Sequence, residues 1–293
     1  MGPLQPRPYN KIMPELPEVE TIARGVDARV RGDRILEIWF GSHREPFKNS
    51  AARQSKGLTE RRIQSVHRTG KHIVVELGPQ SDRSTDRNGE VAAQWIVHLG
   101  MTGRLLVTTP DAPVVKHTHA RLGLESGREL RFVDPRRFGR LEFRDLAKEK
   151  EFRRPGAEPL TINVKEFADL FRGRKLVIKA ALLNQTLLAG VGNIYADESL
   201  FRAGLRPRRR AGKLTQEELE RLRKAIKEVL EHAIRLGGSS VSDYVDADGA
   251  KGFFQLEHYV YQRTGEPCRN CGSGIKRIVV GGRSTHYCAR CQH

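Results

Sequence analysis

Met13-Pro14-Glu15-Leu16-Pro17-Glu18-Val19-Glu20 leads straight into an apolar repeat, Val19, Ile22, Ala23, Val26 and Val30, at helical spacing. Prolines suit a first helical turn, where an amide would go unpaired anyway, and Glu15, Glu18 and Glu20 suit the positive end of the helix dipole. The run also carries chemistry. If translation began at Met13 and that methionine were removed, Pro14 would be terminal and its ring nitrogen a free secondary amine. Such an amine attacks a sugar aldehyde carbon to form an iminium. Within a chain the same nitrogen is an amide with no usable lone pair, and here residues 1–12 (MGPLQPRPYNKI) precede it. We read these twelve residues as an extension from a misplaced start codon, or a segment removed later.

Beyond the first helix, short alternating or apolar runs predict eight strands: Ile35–Phe40, Ile63–His67, His72–Leu77, Gln94–Leu99, Arg104–Val107, Ala120–Leu124, Glu129–Val133 and Arg140–Phe143. Breaks such as Gly78-Pro79 and Glu125–Arg128 separate most of them, as in an antiparallel sandwich or barrel. The polar stretch Gln80–Glu90 is expected to be a long exposed hairpin loop. After Pro155–Pro159 the period becomes helical, over Val164–Phe171, Val177–Leu188, Ala196–Ala203 and Thr215–Leu236. The last opens with Thr215 and Glu218 as a capping box. Residues 237–258, rich in Gly, Ser and Asp, read as a flexible loop. The fold class is therefore α+β in two domains: an N-terminal antiparallel β-sandwich with a flanking helix, then a helical domain with a small finger. The expected division is 1–12 extension, 13–147 sandwich, 148–262 helical domain with the loop 237–258, and 263–293 finger.

The chain has 293 residues, with 52 Lys plus Arg against 35 Asp plus Glu, a formal net charge of +17. The basic residues are spread along it. That balance calls for a polyanionic partner, nucleic acid ahead of an anionic membrane surface. No apolar run approaches the roughly 18 residues of a membrane span, and residues 1–12 lack a secretory core. A cytoplasmic setting is the default. Charge alone does not separate a repair protein from a basic ribosomal one.

All four cysteines, Cys268, Cys271, Cys288 and Cys291, sit near the end as C-x2-C-x16-C-x2-C. That spacing falls in the range of a structural site for one Zn2+. Paired disulfides are the alternative, disfavoured without a secretory signal. Ile275–Ser284 reads as strand–turn–strand around Gly281-Gly282, giving a β-hairpin finger. Arg283 lies at its tip among Lys276, Arg277 and Arg290, where a guanidinium can hold a phosphate bidentately.

Residues 179–199 predict a helix ending near Leu188, tight turns at Gly190 and Gly192, and a second helix capped by Asn193. Free amides at that helix start can bind a phosphate. His98–Gly103 sets Met101 on a turn, and Asp134-Pro135-Arg136-Arg137-Phe138-Gly139 sets an arginine and a phenylalanine on another. Met101 is suited to filling a gap in a base stack, Phe138 to wedging between base pairs, and Arg136 to reading an unpartnered base.

Taken in chain order, these five motifs follow the order of the formamidopyrimidine-DNA glycosylases, which the chain resembles from Met13 to Cys291, residues 179–199 resembling that family's helix–two-turn–helix. The resemblance implies a bifunctional glycosylase and abasic-site lyase acting on damaged double-stranded DNA as a monomer. It implies Pro14 as nucleophile, Glu15 as general acid/base, Glu18 as an orienting residue, Lys71 near the base and the elimination chemistry, and Arg283 in δ-elimination. An arginine is a poor proton donor at neutral pH, so phosphate clamping is its physical role. The resemblance further implies backbone contacts by His117, Arg136, Arg174, Lys179 and Asn193, with Met101, Arg136 and Phe138 filling the space of the extruded nucleotide. His117 and His119 lack a third ligand for a metal reading. The opening motif and the 237–258 loop favour the purine-directed branch, hence 8-oxoguanine opposite cytosine and ring-opened purines. The alternatives are an endonuclease VIII-like pyrimidine enzyme, a non-catalytic damage-binding protein if Met1 is the true start, and a zinc-bearing RNA-binding protein.

Overall fold

A computed structural model describes residues 13–43, 46–80, 90–239 and 247–293. Most of the expected Gln80–Glu90 loop and the centre of the 237–258 loop lie outside these residues, as do residues 1–12. The chain forms two compact units, one of residues up to Pro14 with Glu18–Arg153 and Gly237–Gly252, the other of Glu15–Pro17, Arg154–Leu236 and Phe253–His293.

In the first unit, helix α1 (Leu16–Val30) is followed by β1 (Ile35–Phe40), α2 (Ala51–Leu58), β2 (Arg61–Thr69), β3 (His72–Gln80), β4 (Ala93–His98), β5 (Arg104–Thr108), β6 (Thr118–Leu124), β7 (Glu129–Val133) and β8 (Arg140–Asp145). All eight expected strands form. They make two antiparallel four-stranded sheets, ordered β1-β6-β7-β5 and β2-β3-β4-β8. Period-two residues turn inward from each: Ile73, Val75 and Leu77 from one sheet, Ala120, Leu122 and Leu124 from the other. They share one core with Val19, Ile22, Ala23, Val26 and Val30 of α1. This is the sandwich with its flanking helix.

Helix α2 was not expected. Its inward anchor is the buried Gln54, whose amide donates to Asn49 O at 3.1 Å and Leu141 O at 3.0 Å and accepts from Trp95 Nε1 at 3.1 Å. With Leu58 as its one buried apolar side chain, the helix has no apolar stripe to read. Only the Ser50 cap, accepting from Arg53 N at 3.2 Å, marks it in the sequence.

The second unit contains α3 (Val164–Phe171), α4 (Ile178–Leu183), α5 (Asn193–Arg202), α6 (Gln216–Arg235) and the hairpin β9 (Lys276–Val280) and β10 (Arg283–Tyr287). Helix α6 carries the expected Thr215–Glu218 capping box and buries Leu219, Leu222, Ile226, Val229, Leu230 and Ala233 along one face. Helix α4 stops at Leu183, short of the expected Leu188. The Asn184 side chain accepts from the Thr186 amide at 3.0 Å, closing a turn that competes with the helix. Leu187 and Leu188 are buried from that turn instead. Helix α5 begins at Asn193, with Gly192 rather than Asn193 as its cap. Among the described residues no helix is long and apolar enough to cross a membrane.

Candidate functional site

In the first unit, two turns are fastened by one acid. Asp134 is fully buried; its carboxylate accepts from Thr102 Oγ1 at 2.5 Å, Gly139 N at 2.7 Å and Arg136 N at 3.3 Å. The Met101 turn and the Phe138 turn thus share an anchor. They also touch through backbone. Gly100 has φ +63°, and a Cβ there would lie 2.5 Å from the Phe138 carbonyl carbon, so only glycine permits the approach. Phe138 stands 48% exposed with the Arg136 guanidinium 4.6 Å from its ring centroid, and Met101 is half-buried on the turn joined to theirs. Asp134 and Thr102 carry this geometry, and sequence reasoning missed both; a buried Asp before a proline turn was the available signal.

His117 is exposed, whereas His119 is buried, its Nε2 donating to Asp134 O at 3.0 Å while burial lowers its pKa. His119 is structural. Lys71 occupies the two-residue turn between β2 and β3. Glu20 of α1 holds Arg68 at 2.8 Å, and Arg68 in turn donates to Gly70 O at 3.2 Å, so the helix steadies the turn that carries the lysine. Glu18 accepts from Ser239 N at 2.7 Å, and Ala247 O accepts from Val107 N at 3.1 Å. Both flanks of the 240–246 segment are therefore tethered within this unit. Pro14 is buried and adjoins Glu15 along the chain.

In the second unit, the Glu15 carboxylate accepts from Ile194 N at 3.1 Å and Tyr195 N at 3.5 Å, at the amino end of α5. A Cβ on Gly192 would lie 2.2 Å from the Glu15 carboxyl carbon, so a side chain there would displace the carboxylate from these amides. Leu16 N donates to Gly190 O at 3.0 Å, completing the clasp. The α5 amides expected to be free for a phosphate are thus occupied by this chain's own carboxylate.

Lys179 also departs from expectation. It is fully buried, its ammonium 2.6 Å from Asp197 Oδ1 and donating to Ser284 O at 3.1 Å. Burial lowers its pKa against the opposing pull of Asp197. Asn193 Nδ2 donates to the same Ser284 carbonyl at 2.9 Å, and Asp197 Oδ2 accepts from His286 N at 2.8 Å. Lys179 therefore braces the hairpin next to Arg283 and does not face outward to grip a backbone; a lysine in an amphipathic repeat gives no sign of a buried partner eighteen residues on. Arg283 and Arg174 are exposed, the Arg174 Nε donating to Leu170 O. Tyr261, also unforeseen, is buried close to Glu15 and Asn193; burial, reinforced by the Glu15 charge, raises its phenol pKa.

The cysteine sulfurs all lie within 4.8 Å of one another, Cys268 to Cys291 at 3.8 Å and Cys271 to Cys288 at 3.5 Å. Disulfides need about 2.05 Å. Four Zn–S bonds of about 2.3 Å place tetrahedral sulfurs about 3.8 Å apart, so the donor set fits one zinc ion. Burial raises the Cys291 thiol, while a Ser273 hydrogen bond lowers Cys271 to about 6. The metal would keep all four as thiolates. Glu198 ties the finger's approach down, accepting from the amides of Tyr259, Val260 and Tyr261 at 2.8–3.0 Å.

Three family models match in sequence order: the formamidopyrimidine-DNA glycosylase N-terminal domain over residues 13–141, the H2TH domain of the same glycosylases over 155–245, and the zinc finger found in FPG and IleRS over 265–293. The chain belongs to the formamidopyrimidine-DNA glycosylase family. Curated formamidopyrimidine-DNA glycosylases from Solibacter usitatus and Cupriavidus pinatubonensis are 45% and 42% identical, each over 96% of this chain and 99% and 100% of their own length. Among solved structures, a variant of the Lactococcus lactis protein bound to Fapy-dG DNA is similar at TM-score 0.82 and 35% identity, over 95% of this chain and 99% of that one. The same protein bound to abasic-site DNA also gives TM-score 0.82, at 36% identity and the same coverage.

Three outcomes test this glycosylase-family architecture. Asp134→Ala strands three donors and is expected to cost about 2–3 kcal/mol in denaturant unfolding. Phe138→Ala should stay within about 0.5 kcal/mol of the parent, yet both should weaken binding to abasic-site DNA. Chelation should release one zinc per chain and abolish DNA binding, with recovery on adding zinc back.

Proposed function

We propose that this protein excises oxidised purines, 8-oxoguanine opposite cytosine and ring-opened formamidopyrimidines, from duplex DNA and then removes the sugar. The single observation that carries the reading is the Glu15 carboxylate held on the α5 amides by Gly192, one residue from Pro14. A general acid/base must be fixed within reach of its proton, and this one is clasped by backbone. With Pro14 amino-terminal, its amine attacks C1′ of the flipped nucleotide, and Glu15 protonates the sugar ring oxygen as the base leaves. The iminium acidifies the C2′ proton; β-elimination expels the 3′ phosphate and δ-elimination the 5′ phosphate. Water then hydrolyses the remaining iminium, releasing the unsaturated sugar aldehyde and restoring the Pro14 amine, so the net products are free base, that aldehyde and a one-nucleotide gap.

Lys71 serves the base and the eliminations, and Arg283 clamps a phosphate from the hairpin tip. Met101 and Phe138 fill the vacated stack while Arg136 pairs with the widowed cytosine. His117, Arg174 and Asn193 hold phosphates, and Lys179 positions the finger. The functional division we favour is sandwich 13–147, helical domain 148–262 and zinc finger 263–293, with a bacterial cytoplasmic setting on chromosomal DNA.

One observation favours a second reading. The Lactococcus lactis protein has also been solved with DNA containing an oxidised pyrimidine, at TM-score 0.81 and 35% identity. A lesion panel separates the two. With protein begun at Met13, 8-oxoguanine:cytosine and formamidopyrimidine duplexes should be cut fastest; cleavage of oxidised pyrimidines alone would overturn the purine assignment. Glu15→Gln should slow base release about 10²–10⁴-fold while sparing cleavage of a preformed abasic site far more.

A further inference from the structure

The first unit also holds a cavity of about 480 Å³ whose walls include Trp39, His43, Lys116, His117, Pro135 and Arg137. That volume lies in the ordinary range of small-ligand sites, about 300–1,000 Å³. Trp39 sits on the edge strand β1 and is 46% exposed, on the face opposite Ile38 and Phe40, which pack against the core. The core does not need it. Around it stand two cations, Lys116 and Arg137, and three imidazoles, His43, His117 and His119, and none of the described lining residues is acidic.

The walls are built, not loose. His117 and Arg137 both hold positive φ, +69° and +56°, a region that non-glycine residues rarely occupy. Asp134 keeps both there: its amide donates to His117 O at 3.0 Å, and its carbonyl accepts from Arg137 N at 3.2 Å. The Arg137 guanidinium donates to His43 Nδ1 at 3.3 Å, which turns that imidazole into the wall. Strained backbone maintained on two loops that face one cavity is a mark of a binding site.

We propose that this cavity takes one unpaired nucleotide, its base stacked on Trp39 and its phosphate held by Lys116, His117 and Arg137. A flat ring beside cations suits a base with its phosphate better than an apolar or acidic-pocket ligand. The assignment of the nucleotide to bound DNA rests on the glycosylase reading, through His117. Free nucleotide and single-stranded DNA share this chemistry.

Tryptophan fluorescence tests it directly on the full chain. The protein has two tryptophans, and Trp95 is buried in the core, so quenching by added nucleotide reports Trp39. Thymidine monophosphate, a short oligothymidine and a blunt undamaged duplex are titrated in parallel, with inorganic phosphate as control. Saturable quenching is expected from the first two, tighter for the oligomer, and absent for phosphate. Lys116→Ala should weaken it about tenfold, and Trp39→Phe should remove it while Trp95 emission confirms the fold. No quenching by the oligomer, or equal competition by inorganic phosphate, would overturn the proposal. So would tight quenching by the blunt duplex alone. Excision activity is scored separately: loss of excision with quenching intact would count against the glycosylase reading, and the reverse against the cavity.

Discussion

A carboxylate seated on the amino end of a helix fixes the backbone on which the proposed chemistry depends. Glu15 accepts from Ile194 N and Tyr195 N, and Gly192 leaves just enough room for it. The helix supplies partial positive charge and two amide donors that lack a partner within the helix. In return, the acid is fixed in direction and the backbone on either side of it loses freedom. Pro14, the residue before it, inherits that placement through a single peptide bond. A side chain at residue 192 would push the acid off the amides.

Buried charge plays the same part elsewhere. Asp134 fastens two turns, and Asp197 fastens Lys179 and the β10 backbone. The Lys179–Asp197 ion pair adds little net stability, since desolvation offsets most of the attraction, but removing one partner costs about 3–5 kcal/mol. The value of both acids lies in geometry. Each holds outward-facing residues, the exposed Phe138 and half-buried Arg136 in one unit and the exposed Arg283 in the other, on short irregular segments that propensity alone would leave loose.

Much of this was legible in the residues. Eight short alternating or apolar runs gave eight strands, because one or both faces of each are buried. The cysteine spacing matched a tetrahedral donor set, and Thr215 with Glu218 marked the start of α6. What escaped was whatever depends on polar burial. Gln54 holds α2 without an apolar stripe, Asn184 ends α4 inside an apolar run, and Lys179 reads as a surface cation until Asp197 is beside it in space. The amides of α5 looked open for a phosphate because their partner, Glu15, lies 179 residues away in sequence. Long-range polar pairs leave no local period to read.

The central claim is that Pro14 acts as an amine, and borohydride trapping on an 8-oxoguanine:cytosine duplex tests it most directly. Reduction of an iminium leaves a protein–DNA bond that survives denaturing electrophoresis. Protein begun at Met13 and relieved of that methionine is expected to be trapped, and protein that retains residues 1–12 is not, because its Pro14 nitrogen remains an amide. Equal trapping of both forms would place the nucleophile elsewhere. Trapping of neither, on this duplex or an abasic one to which both bind, would contradict the lyase mechanism itself.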